Sequence, residues 1–450
     1  MVGDRTKLLV DTTRRLLRRG ADLHLRKMVN RAHAADLSVV FHALTPQDQK
    51  KLFSMIEDPA AKGHLLSDMD EDALFRTIED LSPEQLVDIL ETMPTDDVAD
   101  LLGRLPHEQT EEILKRMNKK GSAEVEDLLR YGDQTAGGIM VPDFVAVKED
   151  ATARQAIESL QKEYKDVEMP FYLYVVDEYD RLVGVSSLRQ LVLVPPDTPV
   201  REFMTRDVLS VRTDMDQEEV AKIVARYDIL AVPVVDENNR LVGIVTVDDV
   251  LDIIREEATE DFLKMAGVGE EYVETQSVVR STRIRLPWLF ASCMGGIVAF
   301  FVISGFESTL ERVAYLAAFI PVIMGMGGNI GIQSSTIVVR GLATGRIHLA
   351  DLSRVVGKEL AVGMILGIVY GCLVGLVAGL ALPGWQLAAA VGLGVFSAMT
   401  VAALVGSMFP LVFFRISIDP AVATGPFVTT SVDILSVFFY FEIATLFLEL

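Results

Sequence analysis

Four long apolar stretches near the carboxyl terminus decide what this chain can be. Residues 286–306 hold 21 consecutive uncharged residues, 313–339 hold 27 and 360–414 hold 55, while 421–448 is apolar apart from Asp433 and Glu442. About 20 apolar residues in a helix cross a bilayer. The longest stretch is therefore two spans, turning near LeuProGlyTrp at 382–385, and the segment 286–450 is expected to be a five-helix transmembrane bundle. AspPro at 419–420 offers the last span an N-cap and a first-turn proline. Arg280, Arg283 and Arg285 precede the first span, Arg340, Arg346, Arg354 and Lys358 lie between the second and third, and Arg415 lies between the fourth and fifth. The alternate connections carry Glu307, Glu311 and a single Arg312, then no charge. Positive charge gathers on the cytoplasmic side. The chain is thus expected to be multi-pass in the plasma (inner) membrane, with its amino terminus cytoplasmic and its carboxyl terminus outside.

Asp433 sits in the middle of the fifth span, between SerVal and IleLeuSerValPhePheTyrPhe. A carboxylate at that depth costs roughly 2.5–3.5 kcal/mol on insertion scales, which a pore, a relay or a bound cation would offset. The plainer reading is a protonated or paired structural aspartate. Glu442, about six residues from the outer end, reads as an interfacial group. The second span contains ProValIleMetGlyMetGlyGlyAsnIleGlyIleGlnSerSerThr, 321–336. Gly325, Gly327, Gly328 and Gly331 either let helices pack closely or let the backbone open to expose carbonyls. Asn329 and Gln333, four residues apart, place two amides on one face.

The remainder of the chain is acidic. Basic and acidic residues nearly balance from Arg280 onward, 9 against 8, so the part before it, with 33 basic and 56 acidic residues, carries −23 of formal charge. Nucleic acid and anionic lipid both require net positive charge on their partner, which argues against either as the main partner of the acidic part; membrane lipid is the expected partner of the spans, and no nucleic acid is expected. A surface of this sign gathers cations, although any single acidic residue is more simply a solubilising one. Cys293 and Cys372 both lie in apolar spans and the six histidines are scattered, so no disulfide framework and no zinc-type ligand spacing is present. No signal peptide is recognisable in residues 1–30, which are basic and include ArgArgLeuLeuArgArg at 14–19. No nucleophile–base set and no phosphate-binding loop appears, which argues against an enzyme.

Two internal repeats organise the acidic part. LeuThrProGln (44–47), LeuSerProGlu (81–84), MetProThrAsp (93–96) and LeuProHisGlu (105–108) each precede an amphipathic run, with proline suited to a first helical turn. Short helices stacked in an all-α superhelical domain over 1–130 are expected. Farther on, TyrValValAspGluTyrAspArgLeuValGlyVal (174–185) matches ProValValAspGluAsnAsnArgLeuValGlyIle (233–244) at an offset of 59 residues. Each copy reads strand, turn, strand, helix, with a further strand and helix upstream. This α/β unit, repeated over 131–197 and 198–254, resembles a tandem CBS pair, a module that is frequently dimeric and in many proteins binds adenine nucleotides. GlyIleValThrValAspAsp (243–249) fits the CBS nucleotide pattern. The resemblance implies that Gly243, Thr246 and Asp249 hold one ATP-like ligand, Thr246 at a phosphate and Asp249 at the ribose. GlyValSerSerLeuArgGln (184–190) lacks the aspartate. Residues 255–285 read as a charged connecting helix and linker.

Taken together, an acidic helical domain, a CBS pair, a charged linker helix and five spans carrying Gly325–Thr336 and Asp433 resemble the MgtE-type magnesium channels over essentially the whole chain. The resemblance implies a homodimer with its pore on the two-fold axis and two Asp433 carboxylates facing one conduit. Gly325, Gly328, Asn329, Gln333 and Gly425 are expected to line it. Gly425 has no side chain to offer the ion, where some relatives carry an amide. Mg²⁺ dehydrates reluctantly, so paired carboxylates and oxygen acceptors around a still-hydrated ion suit it. The resemblance further implies regulatory Mg²⁺ on acidic faces at Asp96, Asp100, Asp216, Glu218, Asp228, Asp249, Asp252, Glu256, Glu257, Glu260 and Asp261. Like charges repel by about 1 kcal/mol per close pair in water. Several such pairs reach the ~5.5 kcal/mol that swings a two-state gate from shut to open. Cytosolic Mg²⁺ would then close the channel that admits it. A divalent-cation carrier, by exchange or proton coupling, and a non-transporting membrane-anchored metal or nucleotide sensor are the alternatives.

Overall fold

The computed structural model describes residues 2–163, 172–268, 278–347, 351–382 and 384–448. It divides into two compact units, Met1–Arg255 and Glu256–Leu450. Unit 1 begins with helices whose starts follow the repeated phrases. Thr45 caps Pro46–Met55, and Ser82 forms a capping box with Gln85 at the head of Pro83–Leu90. The other two phrases work differently. Pro94 and Pro106 stand at the N-cap of Thr95–Gly103 and His107–Arg116, in extended backbone and without a side-chain cap. Leu25, Leu52, Leu66, Leu74, Leu90 and Leu102 fill the interior of the helical part. The same core runs on through Met140, from the entry segment of the first CBS copy, and Val220, Val234, Val250 and Ile253 of the second. The helical domain and that copy therefore share one hydrophobic interior.

The CBS pair contains two three-stranded sheets. In the first, β1 (Ala146–Lys148), β2 (Tyr172–Val176) and β3 (Leu182–Ser187) lie in that order; β4 (Val211–Arg212), β5 (Ala231–Val235) and β6 (Leu241–Thr246) repeat it. The outer pairing is parallel and the hairpin antiparallel in both. The turns repeat too. Asp177 accepts from the backbone of Tyr179 and Arg181, and Asp236 does so from Asn238 and Arg240. Asp180 and Asn239, equivalent at the 59-residue offset, both adopt positive φ. The entry segments are exchanged between copies. Val141 bridges to Ile244 and Thr205 to Val185. A Cβ on Gly243 would lie 2.7 Å from Met140 Sδ, and one on Gly184 would collide with Met204.

In unit 2, five helices among the described residues are long and apolar enough to cross a membrane. Span 1 is Val278–Gly305, span 2 Tyr315–Ala343, span 3 Leu352–Ala381 and span 4 Trp385–Arg415. The fifth consists of Pro420–Thr424 and Pro426–Phe447. Span 1 starts eight residues before its first expected apolar position, because Arg280, Arg283 and Arg285 continue the helix. Of the two alternatives for the span 2 glycines one is ruled out, and the fifth span starts at Asp419–Pro420 as expected but has an added break. Span 2 does not open at its glycines, and its helix runs unbroken through Pro321 and Gly331. The fifth span is not continuous. Gly425 turns the chain at ψ −126° and Pro426, which has no N–H, starts a new helix.

Span 4 is the centre of the bundle, with Ala390, Val391, Ala398, Ala402 and Ala403 fully buried. Span 3 lies along it through glycines spaced four apart. Cβ atoms on Gly367, Gly371 and Gly375 would come within 2.6–3.0 Å of the carbonyl oxygens of Phe396, Gly392 and Ala388. Small residues in such a stripe let helix backbones touch, which is the main source of attraction where lipid is as apolar as leucine. Gly371→Ala is accordingly expected to lower the melting temperature of the purified protein in detergent, at about 1–3 kcal/mol for overpacking. Gly296→Ala in span 1, where a Cβ meets nothing within 4 Å, should leave it unchanged.

Candidate ion pathway and cytosolic acidic site

Asp433 lies half-buried in Pro426–Phe447. Among the described residues no hydrogen bond or ion pair to its carboxylate is found. Its helix packs on span 2 through Val428, Val432 and Ser436. A Cβ on Gly327 would meet Ser436 Oγ at 2.7 Å and Val432 at 3.2 Å, and one on Gly331 would meet Val432 at 3.0 Å and Val428 at 3.2 Å. The glycine run thus divides by face. Gly327 and Gly331 are packing residues, while a Cβ on Gly325 or Gly328 meets nothing within 4 Å. Asn329 and Gln333 are exposed in the protomer. Gly331 also faces span 4, since a Cβ on Gly406 would strike its carbonyl oxygen.

The head of the last helix is covered by the end of the linker helix, Val247–Met265. That helix stops at Gly267, whose φ of +72° suits a left-handed C-cap. A Cβ on Gly425 would lie 3.5 Å from Gly267 Cα and 3.6 Å from the carbonyl oxygen of Lys264. Gly425, expected to line the pathway, is buried beneath this cap. Lys264 pairs with Glu260 one turn earlier and reaches Asp419 Oδ2 at 2.8 Å. The other oxygen of Asp419 accepts from Ala421 N at 2.8 Å, capping Pro420–Thr424. The three side chains are 16–34% exposed, so this pairing is screened less than a surface one.

In unit 1 the acidic residues separate into different roles. Asp96 and Asp100 share a helix, yet Asp96 is buried and Asp100 exposed. Asp96 Oδ1 has no hydrogen-bond partner. Burial, then the neighbouring Asp249 and Asp97 carboxylates, push its pKa up to about 8. Burial likewise raises Asp249 to about 6, against the bond it accepts from Thr246 Oγ1. Asp216 and Asp228 hold the two ends of Gln217–Tyr227, as N-cap and left-handed C-cap. Glu218 pairs with Lys222 at 2.8 Å and Asp252 with Arg255 at 3.1 Å. Glu256 is exposed, and Glu257 and Asp261 are half-buried. Among the described residues no three histidine, cysteine or acidic side chains converge as a metal cluster. Thr246 and Asp249 do come together, whereas Gly243 is covered by Met140.

Family models match all three regions. The divalent cation transporter domain MgtE matches residues 320–443, the MgtE intracellular N domain 32–134, and CBS domains 136–197 and 200–256. The magnesium transporter MgtE of Thermus thermophilus is 44% identical over 330 residues, 73% of each chain. That of Bacillus subtilis is 38% identical over 74% of each. The chain belongs to the MgtE family. A crystal structure of the cytosolic domain of the Mg²⁺ channel MgtE in complex with ATP superposes with a TM-score of 0.51 at 38% identity, covering 54% of this chain and 99% of that one. The transporter match contains the glycine run, Asn329, Gln333 and Asp433.

Three polar contacts of unit 2 were not foreseen from the sequence. Lys264 with Asp419 joins residues 155 apart, which no local pattern betrays. Ser335 shares a 2.8 Å hydrogen bond with Thr424. Glu359 looks like the flank of span 3 when uncharged runs are counted, but the helix starts at Leu352 and carries it inside. Counting from the helix start would have found it.

The raised pKa of Asp96 has a definite sign. Between about 4 and about 8 the folded protein binds a proton that the unfolded chain does not, so stability falls as pH rises through that window. In chelator, unit 1 should melt at lower temperature at pH 8 than at pH 6. Asp96→Asn should remove most of that difference, as measured by calorimetry.

Proposed function

We propose that the chain is a Mg²⁺-selective channel, acting as a homodimer, that mediates Mg²⁺ uptake and is closed by cytosolic Mg²⁺. The observation that carries this reading is Asp433, a half-buried carboxylate midway along a membrane-length helix with no protein cation beside it. Two such groups across a two-fold axis would supply negative charge at a radius suited to an ion that keeps its water. The open face of span 2, where Gly325 and Gly328 add no side chain, supplies the amide groups of Asn329 and Gln333 along the same route. The channel named in the solved relative and the transporters named in the others carry the same cation.

Regulation follows from the acidic residues. Asp96 and Asp249 are near enough for each to feel charge from the other's helix, and the bare Asp96 Oδ1 is an acceptor in need of a donor or a metal. Two carboxylates with water completing the shell fit Mg²⁺, which takes oxygen ligands and retains several waters. Asp100, Asp216, Glu218, Asp228, Asp252, Glu256, Glu257, Glu260 and Asp261 extend the acidic surface on which further ions gather. When Mg²⁺ binds, repulsion is relieved and the Gly267 end of the linker helix stays seated on Gly425. Thr246 and Asp249 take part in holding ATP, which makes Asp249 common to the nucleotide and the metal. The amino terminus is cytoplasmic and the carboxyl terminus outside, from the placement of arginines around the spans.

Mg²⁺ uptake into liposomes tests the central claim. Asp433→Ala is expected to reduce flux at least about a hundredfold, close to the background of empty vesicles, as loss of the pore carboxylates removes the offset for a charge at that depth. Flux equal to wild type would sink the channel reading. For the gate, neutralising Asp249, Asp252 and Glu257 together should shift the Mg²⁺ concentration that closes the channel upward by about tenfold or more, equal to about 1.4 kcal/mol. Unchanged Mg²⁺ sensitivity of single-channel currents would refute it.

A further inference from the structure

Span 2 carries two consecutive buried serines, and each is tied to a different neighbour. Ser334 Oγ donates to Glu359 Oε2 of span 3 at 2.9 Å, and both side chains are 4% exposed. Ser335 Oγ lies 2.8 Å from Thr424 Oγ1, with both residues nearly fully buried. Thr424 is the last residue before the Gly425–Pro426 break that begins the Asp433 helix. Successive residues of a helix point about 100° apart. The two bonds therefore hold span 2 from two directions, one toward span 3 and one toward the head of span 5. Asn329 and Gln333 lie on the exposed side of the same helix.

Glu359 is the unusual member. Glu359 lies two turns into Leu352–Ala381, just past Arg354 and Lys358 and at the head of the uncharged run; a carboxylate sealed from water there is expensive, and an apolar pair would fill the same space at less cost. What an apolar pair cannot supply is an angular constraint. We infer that Glu359 is a positioning residue of the ion pathway: through Ser334 it fixes the rotation of span 2, so that Asn329 and Gln333 present their amides to the passing ion. Gly327 and Gly331, packed on Val428, Val432 and Ser436, set how closely span 2 approaches span 5. Smooth glycine surfaces permit rolling, and the Glu359–Ser334 bond prevents it. A roll of span 2 would move the amides relative to Asp433 and change which ion is preferred. This assignment rests on the reading of Asp433 and the open face of span 2 as the pathway.

Selectivity is the decisive readout, because a loss of folded protein scales every flux equally and leaves a ratio untouched. Purified full-length protein in liposomes, loaded with a fluorescent divalent-ion indicator, gives Mg²⁺ and Mn²⁺ fluxes for Glu359→Leu, Ser334→Ala, the double variant and Glu359→Gln. Glu359→Leu and Ser334→Ala should each change the Mg²⁺:Mn²⁺ flux ratio by about threefold or more, and the double variant should change it no further, as for two partners of one bond. Glu359→Gln should stay within about twofold of wild type, since its amide oxygen still accepts from Ser334. An unchanged ratio in Ser334→Ala overturns the assignment, and that variant serves even if Glu359→Leu fails to fold. A Glu359→Gln ratio as altered as that of Glu359→Leu also overturns it, because charge rather than the bond would then be responsible. Asp433→Ala is run beside them. If it abolishes flux while the ratios stay fixed, only the positioning role fails; if it leaves flux intact, the pathway itself lies elsewhere.

Discussion

A carboxylate carried into hydrocarbon must meet water, a proton or a cation, and the arrangement of the spans answers to that demand. Asp433 is one residue beyond Val432, which beds against Gly327 and Gly331 of span 2. Because those two positions have no side chain, the helices approach closely and Asp433 is left at the edge of the contact, half-open rather than sealed. Larger residues at 327 or 331 would push the helices apart and alter the setting of the aspartate without touching it. Span 4, with its run of buried alanines and valines, is the rigid wall against which spans 2, 3 and 5 are set.

The helix Val247–Met265 begins with Asp249 and ends near Lys264 and Gly267. Its two ends have different chemistry. Asp249 sits among carboxylates that disfavour one another's charge. Lys264 sits between Glu260 and Asp419, where opposite charges attract. The second arrangement fastens the helix end to the residue that caps Pro420–Thr424.

Much of this was legible in the sequence because the relevant signals are local. The 59-residue repeat located β2 and β5, β3 and β6 and their aspartate turns, since strand alternation and turn chemistry are written in adjacent residues. Uncharged runs located the spans for the same reason. What escaped were relations across the fold. Four glycines in span 2 look alike in sequence, yet two pack on span 5 and two meet nothing, because the difference is made by the neighbouring helix. Asp96 and Asp100 have the spacing of twins, but only Asp96 is buried. The glycine stripe of span 3 acquires meaning only from the carbonyls of span 4. Asp419 and Pro420 start a helix as their sequence indicates, while the turn at Gly425 that restarts it at Pro426 is set by the contact with Gly267 and Lys264.

The exchanged entry segments of the CBS pair have a consequence for how this module can exist at all. Met140 covers Gly243 and Met204 covers Gly184, while Leu182 and Leu241 bind reciprocally to Asn239 and Asp180. Neither half is complete by itself: each leaves a bare notch that only its twin can fill. Each copy thus depends on the other for part of its packing. Duplication here did more than double a unit, because each copy lends the other the methionine that its glycine notch requires.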